Sequence, residues 1–229
     1  MKILLGFLLA LTIGAQSGCG TVDKTEETPS ATSTPAAAQQ DSDVDRSDPI
    51  NVTITLEDGR VMTAALYPHV APKSVENFVK LAKEGFYDGL IFHRVIPGFM
   101  IQGGGYDETF YDGNFDSKET ETIQGEFSSN GVKNNLKHTK GVLSMARTME
   151  KNSASSQFFI MQEDAPHLDG EYAAFGEITS GLEVVDEVAN VKTTELTGTV
   201  TSNGMKYSGQ KMSDVPEKPI VIKSITVAE

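Results

Sequence analysis

Tryptophan is absent from this 229-residue chain, cysteine occurs once and histidine four times. With Cys19 alone, no intramolecular disulfide can form, and the thiol is left free for other chemistry. Basic residues are outnumbered, 19 Lys and Arg against 32 Asp and Glu, for a formal charge of -13. Phosphate binding needs clustered cations, so nucleic acid is excluded as a partner. No apolar run reaches the roughly 20 residues that span a bilayer as a helix. The histidines show no metal-ligand spacing. Asp112-Gly113-Asn114-Phe115-Asp116 imitates the start of a calcium loop but lacks the glycine at the sixth position and the glutamate at the twelfth, so it reads as solvated charge. Gly103-Gly104-Gly105 follows a strand yet opens no helix, which excludes a dinucleotide fingerprint.

The N-terminal residues have the form of a targeting segment. Lys2 supplies a positive start, Ile3 to Ile13 a short apolar stretch, and Gln16-Ser17-Gly18-Cys19 resembles a bacterial lipobox cut before Cys19. Gln16 departs from that pattern, which favours an aliphatic residue there. Residues 1–18 are therefore expected to be a signal peptide and Cys19 a lipidation site, since a diacylglyceryl group supplies the two chains that stable anchoring needs. Residues 19–48, rich in Thr, Ser, Ala, Pro, Gln and acidic side chains, cannot bury enough surface to offset ordering entropy and read as a disordered tether. The folded domain is expected over 49–229, placed outside the cytoplasm on the bacterial membrane.

A 38% hydrophobic composition is enough for a sizeable core. Ile50, Val52, Ile54 and Leu56 alternate with polar residues as in a half-buried strand; Asp58-Gly59 signals a hairpin, and 61–66 continues as its partner. Pro72 opens an amphipathic helix with Val75, Phe78, Val79 and Ala82 on one face and Gly85 at its end. Strands are expected at 91–102, 141–146 and 157–162, and a second helix over 180–190. In the last strand the apolar parity switches at Lys223-Ser224, the mark of a bulge. Many short strands with two helices argue for a closed β architecture.

The most informative run is Phe92-His93-Arg94-Val95-Ile96-Pro97-Gly98-Phe99-Met100-Ile101-Gln102-Gly103-Gly104, supported by Ser156-Gln157-Phe158-Phe159-Ile160. Together these stretches resemble the cyclophilins, the cyclosporin-binding prolyl isomerases, and the resemblance extends from about Ile50 to Glu229. It implies a mainly β fold, a closed eight-stranded antiparallel barrel capped by two helices. It also implies catalysis of cis-trans exchange at X-Pro bonds without cofactor or metal, on proline-containing unfolded or partly folded polypeptides, by a monomer.

By the same resemblance Arg94 is the catalytic donor, and Phe99, Met100, Phe159 and Leu168 form a proline pocket. Gln102 and Gln157 contact the substrate backbone and wall. Ala146 and Arg147 present backbone to the residue before proline, and Tyr172 takes a position often held by His or Tyr. Arg147 stands where the family often has Asn. His167 stands where many members have the Trp that holds cyclosporin, so weak binding of the drug is expected. His93 is expected to be a structural hydrogen-bonder, Phe92 and Phe158 core. The segment 193–218 departs from the family; its Asn203-Gly204 and Ser208-Gly209 signals suggest a small hairpin.

Overall fold

A computed structural model of the chain describes residues 44–118 and 120–228. The expected signal peptide, Cys19 and nearly all of the tether lie outside the described residues. Strands β1 (Ile50–Leu56) and β2 (Val61–Leu66) form the first hairpin, turning at Asp58-Gly59. Helix α1 (Pro72–Lys83) follows, then β3 (Leu90–Ile96), β4 (Met100–Asp107), β5 (Val142–Met145), β6 (Phe158–Met161) and β7 (Ala174–Ser180). Helix α2 (Leu182–Ala189) leads to a hairpin of β8 (Thr193–Ser202) and β9 (Met205–Pro216), and β10 (Ile222–Val227) ends the sheet.

Eight strands pair antiparallel in the order β10-β1-β2-β7-β5-β6-β4-β3, while β8 and β9 make a separate two-stranded sheet. The barrel is nearly closed rather than closed. Between β3 and β10 no ladder forms; Phe92 N–H reaches Ile220 O at 2.9 Å, Gly89 N–H reaches Ile222 O at 2.9 Å, and Ile91 and Val221 make an isolated bridge. The expected bulge is there: Thr55 faces Ser224 and Leu56 faces Ile222, leaving Lys223 as the extra residue.

Two other sequence readings change. The stretch 91–102 is two strands, because Pro97-Gly98-Phe99 turns the chain between β3 and β4. Strand β7 had no sequence signal, since Ala174-Phe175-Gly176-Glu177 does not alternate.

Side chains from α1 and the strands fill the barrel. Phe78 of α1 packs on Phe158 at 5.2 Å between ring centroids, nearly perpendicular, and on Phe175 at 5.3 Å; Phe92 meets Phe158 edge-on at 6.0 Å. The helix has no side-chain cap of its own at Ala71. Instead the buried Glu126 carboxylate accepts the N–H groups of Lys73 (3.0 Å) and Ser74 (2.8 Å) and the Ser74 hydroxyl (2.7 Å). A distant loop thus satisfies donors that every helix start leaves open.

A second, smaller core lies outside the barrel. Ile91, Tyr106, Phe110 and Phe115 pack with Met212, Val215 and Val221, so the hairpin is bonded to the body by its own apolar patch. Polar contacts reinforce it. Phe115 N–H donates to Thr199 O, Thr199 N–H to Gly113 O, and the Tyr111 hydroxyl to Pro216 O at 2.9 Å. Asp116 accepts from Thr201 N–H. The Asp112–Asp116 run therefore serves as a clamp for the hairpin, in place of the solvated charge the sequence suggested.

Candidate active site

Four strands bring the expected residues into one row. Arg94 on β3 faces Gln102 on β4, Gln102 faces Phe159 on β6, and Phe159 faces Ser144 on β5. Directly opposed residues share a face of a sheet. Met100, two residues from Gln102, joins that face. Phe92 should also share it, two residues before Arg94, yet Phe92 lies in the barrel core. The reason is a bulge: Phe92 pairs with Gly103 and Arg94 with Gln102, so His93 is an extra residue that reverses the parity of the strand. Phe92 and Phe158 thereby point inward, while Arg94, Gln102 and Phe159 share the opposite face.

The bulged His93 has the Ile91 backbone as its polar neighbour, without a hydrogen bond of full geometry. It is buried, edge-on to Tyr106 at 4.6 Å and 6.0 Å from Phe110. Burial, with the adjacent Arg94 guanidinium, pushes its pKa down to about 3, so it packs as a neutral ring.

The apolar floor consists of Met100, Phe159 and Leu168, all buried, with Phe99 at its edge. Phe99 sits on the Pro97–Phe99 turn, which Gln162 pins. Its carbonyl accepts Gly98 N–H at 2.7 Å, its own N–H reaches Phe99 O at 2.8 Å, and its amide donates to Asp186 at 2.9 Å. The Lys140 ammonium, and then this amide, hold the Asp186 carboxyl below the usual carboxylate range. His167 stacks on Phe99 at 5.8 Å and 25°, placing its ring on the rim. Behind the floor, His138 lies parallel to Phe159 at 6.0 Å. Its Nδ1 meets Asp169 at 3.1 Å and its Nε2 meets Ser144 Oγ at 3.0 Å. Although burial alone would raise the Asp169 pKa, the His138 hydrogen bonds hold it below the usual range. This Ser-His-Asp arrangement mimics a hydrolytic triad, but Ser144 and His138 are fully buried, so it buttresses the pocket.

The polar wall is a pair of amides. Gln102 Nε2 donates to Gln157 Oε1 at 3.0 Å. Gln157 folds over Gly105, where a Cβ would sit 2.6 Å from its side chain; at Gly104, with φ +82°, a Cβ would meet Ser156 O and the Phe158 ring at 2.9 Å. The glycine run is there for close approach. Ala146 N–H is held by Gln157 O at 2.9 Å.

The atypical Arg147 has its side chain folded back onto the protein. Its guanidinium donates to Glu171 O at 3.0 and 2.9 Å and to Thr148 O at 2.9 Å, and it lies over Phe127 at 5.0 Å and Tyr172 at 4.7 Å. Its backbone N–H and carbonyl bond to nothing among the described residues, which leaves both open to an incoming strand. Tyr172 in turn meets Phe159 edge-on at 5.8 Å, closing the ring of expected residues. Arg94 stands at one end, its side chain 16% exposed, with Nε 3.5 Å from Asp214 Oδ2. Sequence reasoning missed Gln162, His138 and Asp214, whose roles depend on register and not on any local motif.

The row unites one arginine, two amides and an apolar floor on one face of the sheet. A model of the cyclophilin type peptidyl-prolyl cis-trans isomerases matches residues 51–227. The chain belongs to that family. It is 41% identical to peptidyl-prolyl cis-trans isomerase A of Dickeya dadantii over 182 residues, 77% of this chain and 84% of that protein. It is 47% identical to peptidyl-prolyl cis-trans isomerase B of Bacillus subtilis over 135 residues, 59% of this chain and 87% of the relative. A Cryptosporidium parvum cyclophilin, solved in the presence of the dipeptide Ala-Pro, superposes with a TM-score of 0.60 at 30% identity, over 78% of this chain and 99% of that one. The chain is accordingly a cyclophilin-type isomerase, and its substrates are proline-containing polypeptides.

Proposed function

We propose that Arg94 is the group that accelerates X-Pro exchange, and that the enzyme assists the folding of secreted or envelope proteins from a lipid anchor on Cys19. The uncatalysed barrier is amide resonance, roughly 18–20 kcal/mol. No bond to carbon is broken, so the site needs no nucleophile. When the amide twists, the proline nitrogen gains an accepting lone pair, and a donor aimed there binds the transition state better than either ground state. The observation that carries this reading is the placement of a permanently charged guanidinium on the same face as the Met100-Phe159 floor and the Gln102-Gln157 pair. The floor would take the proline ring, the amides the flanking backbone, and Arg147 the residue before proline through its open backbone groups. Because the Arg147 side chain is engaged elsewhere, its departure from Asn leaves that pairing intact.

His167 on Phe99 offers less apolar area than an indole, so cyclosporin should inhibit weakly while turnover persists. A proline-isomerisation assay on the purified chain tests the central claim. Arg94→Ala should fold, by circular dichroism, yet lose about 10²–10³ in rate, the scale of a lost transition-state donor. Near-normal activity in that variant would show that Arg94 is not the accelerating group, whereas a wild type barely above the uncatalysed rate would point to a cyclophilin-fold binding module with incidental catalysis.

A further inference from the structure

The β8–β9 hairpin is more than a surface ornament. Its strand β9 carries two bulges. At the first, Gly198 faces Gln210 and Thr199 faces Ser208, and the extra residue is Gly209 with φ +77°. At the second, Thr194 faces Val215 and Leu196 faces Met212, so Ser213 and Asp214 together oppose Glu195, and Asp214 has φ +59°. Glycine suits a left-handed backbone; aspartate adopts it at a cost. The strained bulge aims a carboxylate at Arg94, whose own side chain is aimed by the His93 bulge. The two meet with Asp214 Oδ2 3.5 Å from Arg94 Nε.

Which nitrogen is engaged decides what the contact does. Nε is buried and has no hydrogen bond, so the Asp214 carboxylate is its one electrostatic partner among the described residues. Nε is the nitrogen closest to the carboxylate, and the terminal Nη1 and Nη2 make no hydrogen bond among the described residues. A carboxylate closing off the donors would have to sit on the terminal nitrogens. One placed at Nε fixes rotation about the last bonds of the side chain and leaves the fork free. Long contacts of this kind in an unliganded site tighten when the reacting complex forms. The hairpin can hold this aim because the small core of Ile91, Tyr106, Phe110, Phe115, Met212 and Val215 joins β9 to the elements flanking Arg94.

We infer that Asp214 is a positioning residue for the isomerase reaction, orienting the Arg94 guanidinium through Nε from the family-divergent hairpin. The inference rests on Arg94 being the donor. Asp214→Asn and Asp214→Gly separate it from a structural role, because both residues accept a left-handed backbone and so keep the bulge. In the full chain, exchange spectroscopy on an Ala-Pro peptide should show kcat down roughly tenfold in both variants, the scale on which supporting partners act, with KM moved less than twofold and the thermal midpoint not lowered. The Arg94 Nε–H should exchange with water faster in Asp214→Asn than in the wild type. If Arg94→Ala is inactive while both Asp214 variants keep full kcat, the positioning role is wrong and the site reading stands. If Arg94→Ala is active, the reading beneath it fails. A rise in kcat on losing the carboxylate would make the contact inhibitory and overturn the inference.

Discussion

At the scale of single residues, polarity is decided by which way a bulge turns a side chain. His93 and Arg94 are neighbours with opposite fates: one guanidinium faces the site, one imidazole is sealed among aromatic rings without a hydrogen bond of full geometry. The sealed imidazole makes stability depend on pH. An unfolded chain takes up a proton on this histidine as pH drops through about 6.5, the usual value. The folded protein does not do so until about 3. Between those values the unfolded state binds more protons, so stability falls as pH falls, by roughly 1.4 kcal/mol per unit at most. Carboxylates with lowered values, Asp58, Asp169 and Asp186, add to the loss only further down, as the unfolded chain's acids begin to titrate near 4. Urea unfolding of wild type between pH 6.5 and 5 should therefore show a falling midpoint, and His93→Leu should flatten that slope. A wild-type midpoint constant over this window would mean the ring is protonated in the native state.

At the scale of elements, what could be read from sequence was what local periodicity encodes. Ile50 to Leu56 and the Asp58-Gly59 turn announced the first hairpin, Pro72 and the Val75-Phe78-Ala82 spacing the first helix, and the parity switch at Lys223 the last bulge. The site's membership came from resemblance, because Arg94, Gln157 and Tyr172 share no period and meet only through cross-strand register. Strand β7 was illegible since its start, Ala174-Phe175-Gly176, is buried on both faces and shows no alternation, and Asp214 was illegible since its aim depends on a bulge and a left-handed backbone. The Asn203-Gly204 turn did announce the hairpin, though its strands run from Thr193 to Pro216 and so reach further than a small loop. The cap on α1 was equally hidden, being supplied across 52 positions of sequence from Glu126 to Ser74. Glu126→Ala leaves two backbone N–H groups and a hydroxyl without their acceptor, and should lower unfolding free energy by about 1–3 kcal/mol. Glu126→Gln, which keeps an acceptor oxygen, should lose less. Equal losses in denaturant titration would show that packing, not acceptance at the helix start, sets the contribution.

At the scale of the whole molecule, charge and the proposed attachment would act against each other. The chain carries 32 acidic residues against 19 basic ones, so its own electrostatics would push it away from an anionic lipid surface. Arg46, near the end of the stretch read as tether, is pinned to the domain by Glu177 at 2.8 Å and lies over Tyr67 at 5.7 Å. Were the preceding stretch the coil its composition suggests, it would reach on the order of 30 Å by coil scaling. That reach would let the Arg94 face meet emerging polypeptide without the domain touching lipid. Retention at the membrane would then depend on the Cys19 lipid alone, with no help from surface charge. Two fractionation results follow. High salt, which screens surface attraction within a Debye length of about 3 Å at 1 M, should release none of the wild type, and Cys19→Ser should move the protein wholly to the soluble fraction with isomerase activity intact. A wild type recovered in the soluble fraction, with a mature terminus other than Cys19, would show that Gln16 prevents lipidation and would end the anchor proposal while leaving the enzyme unchanged.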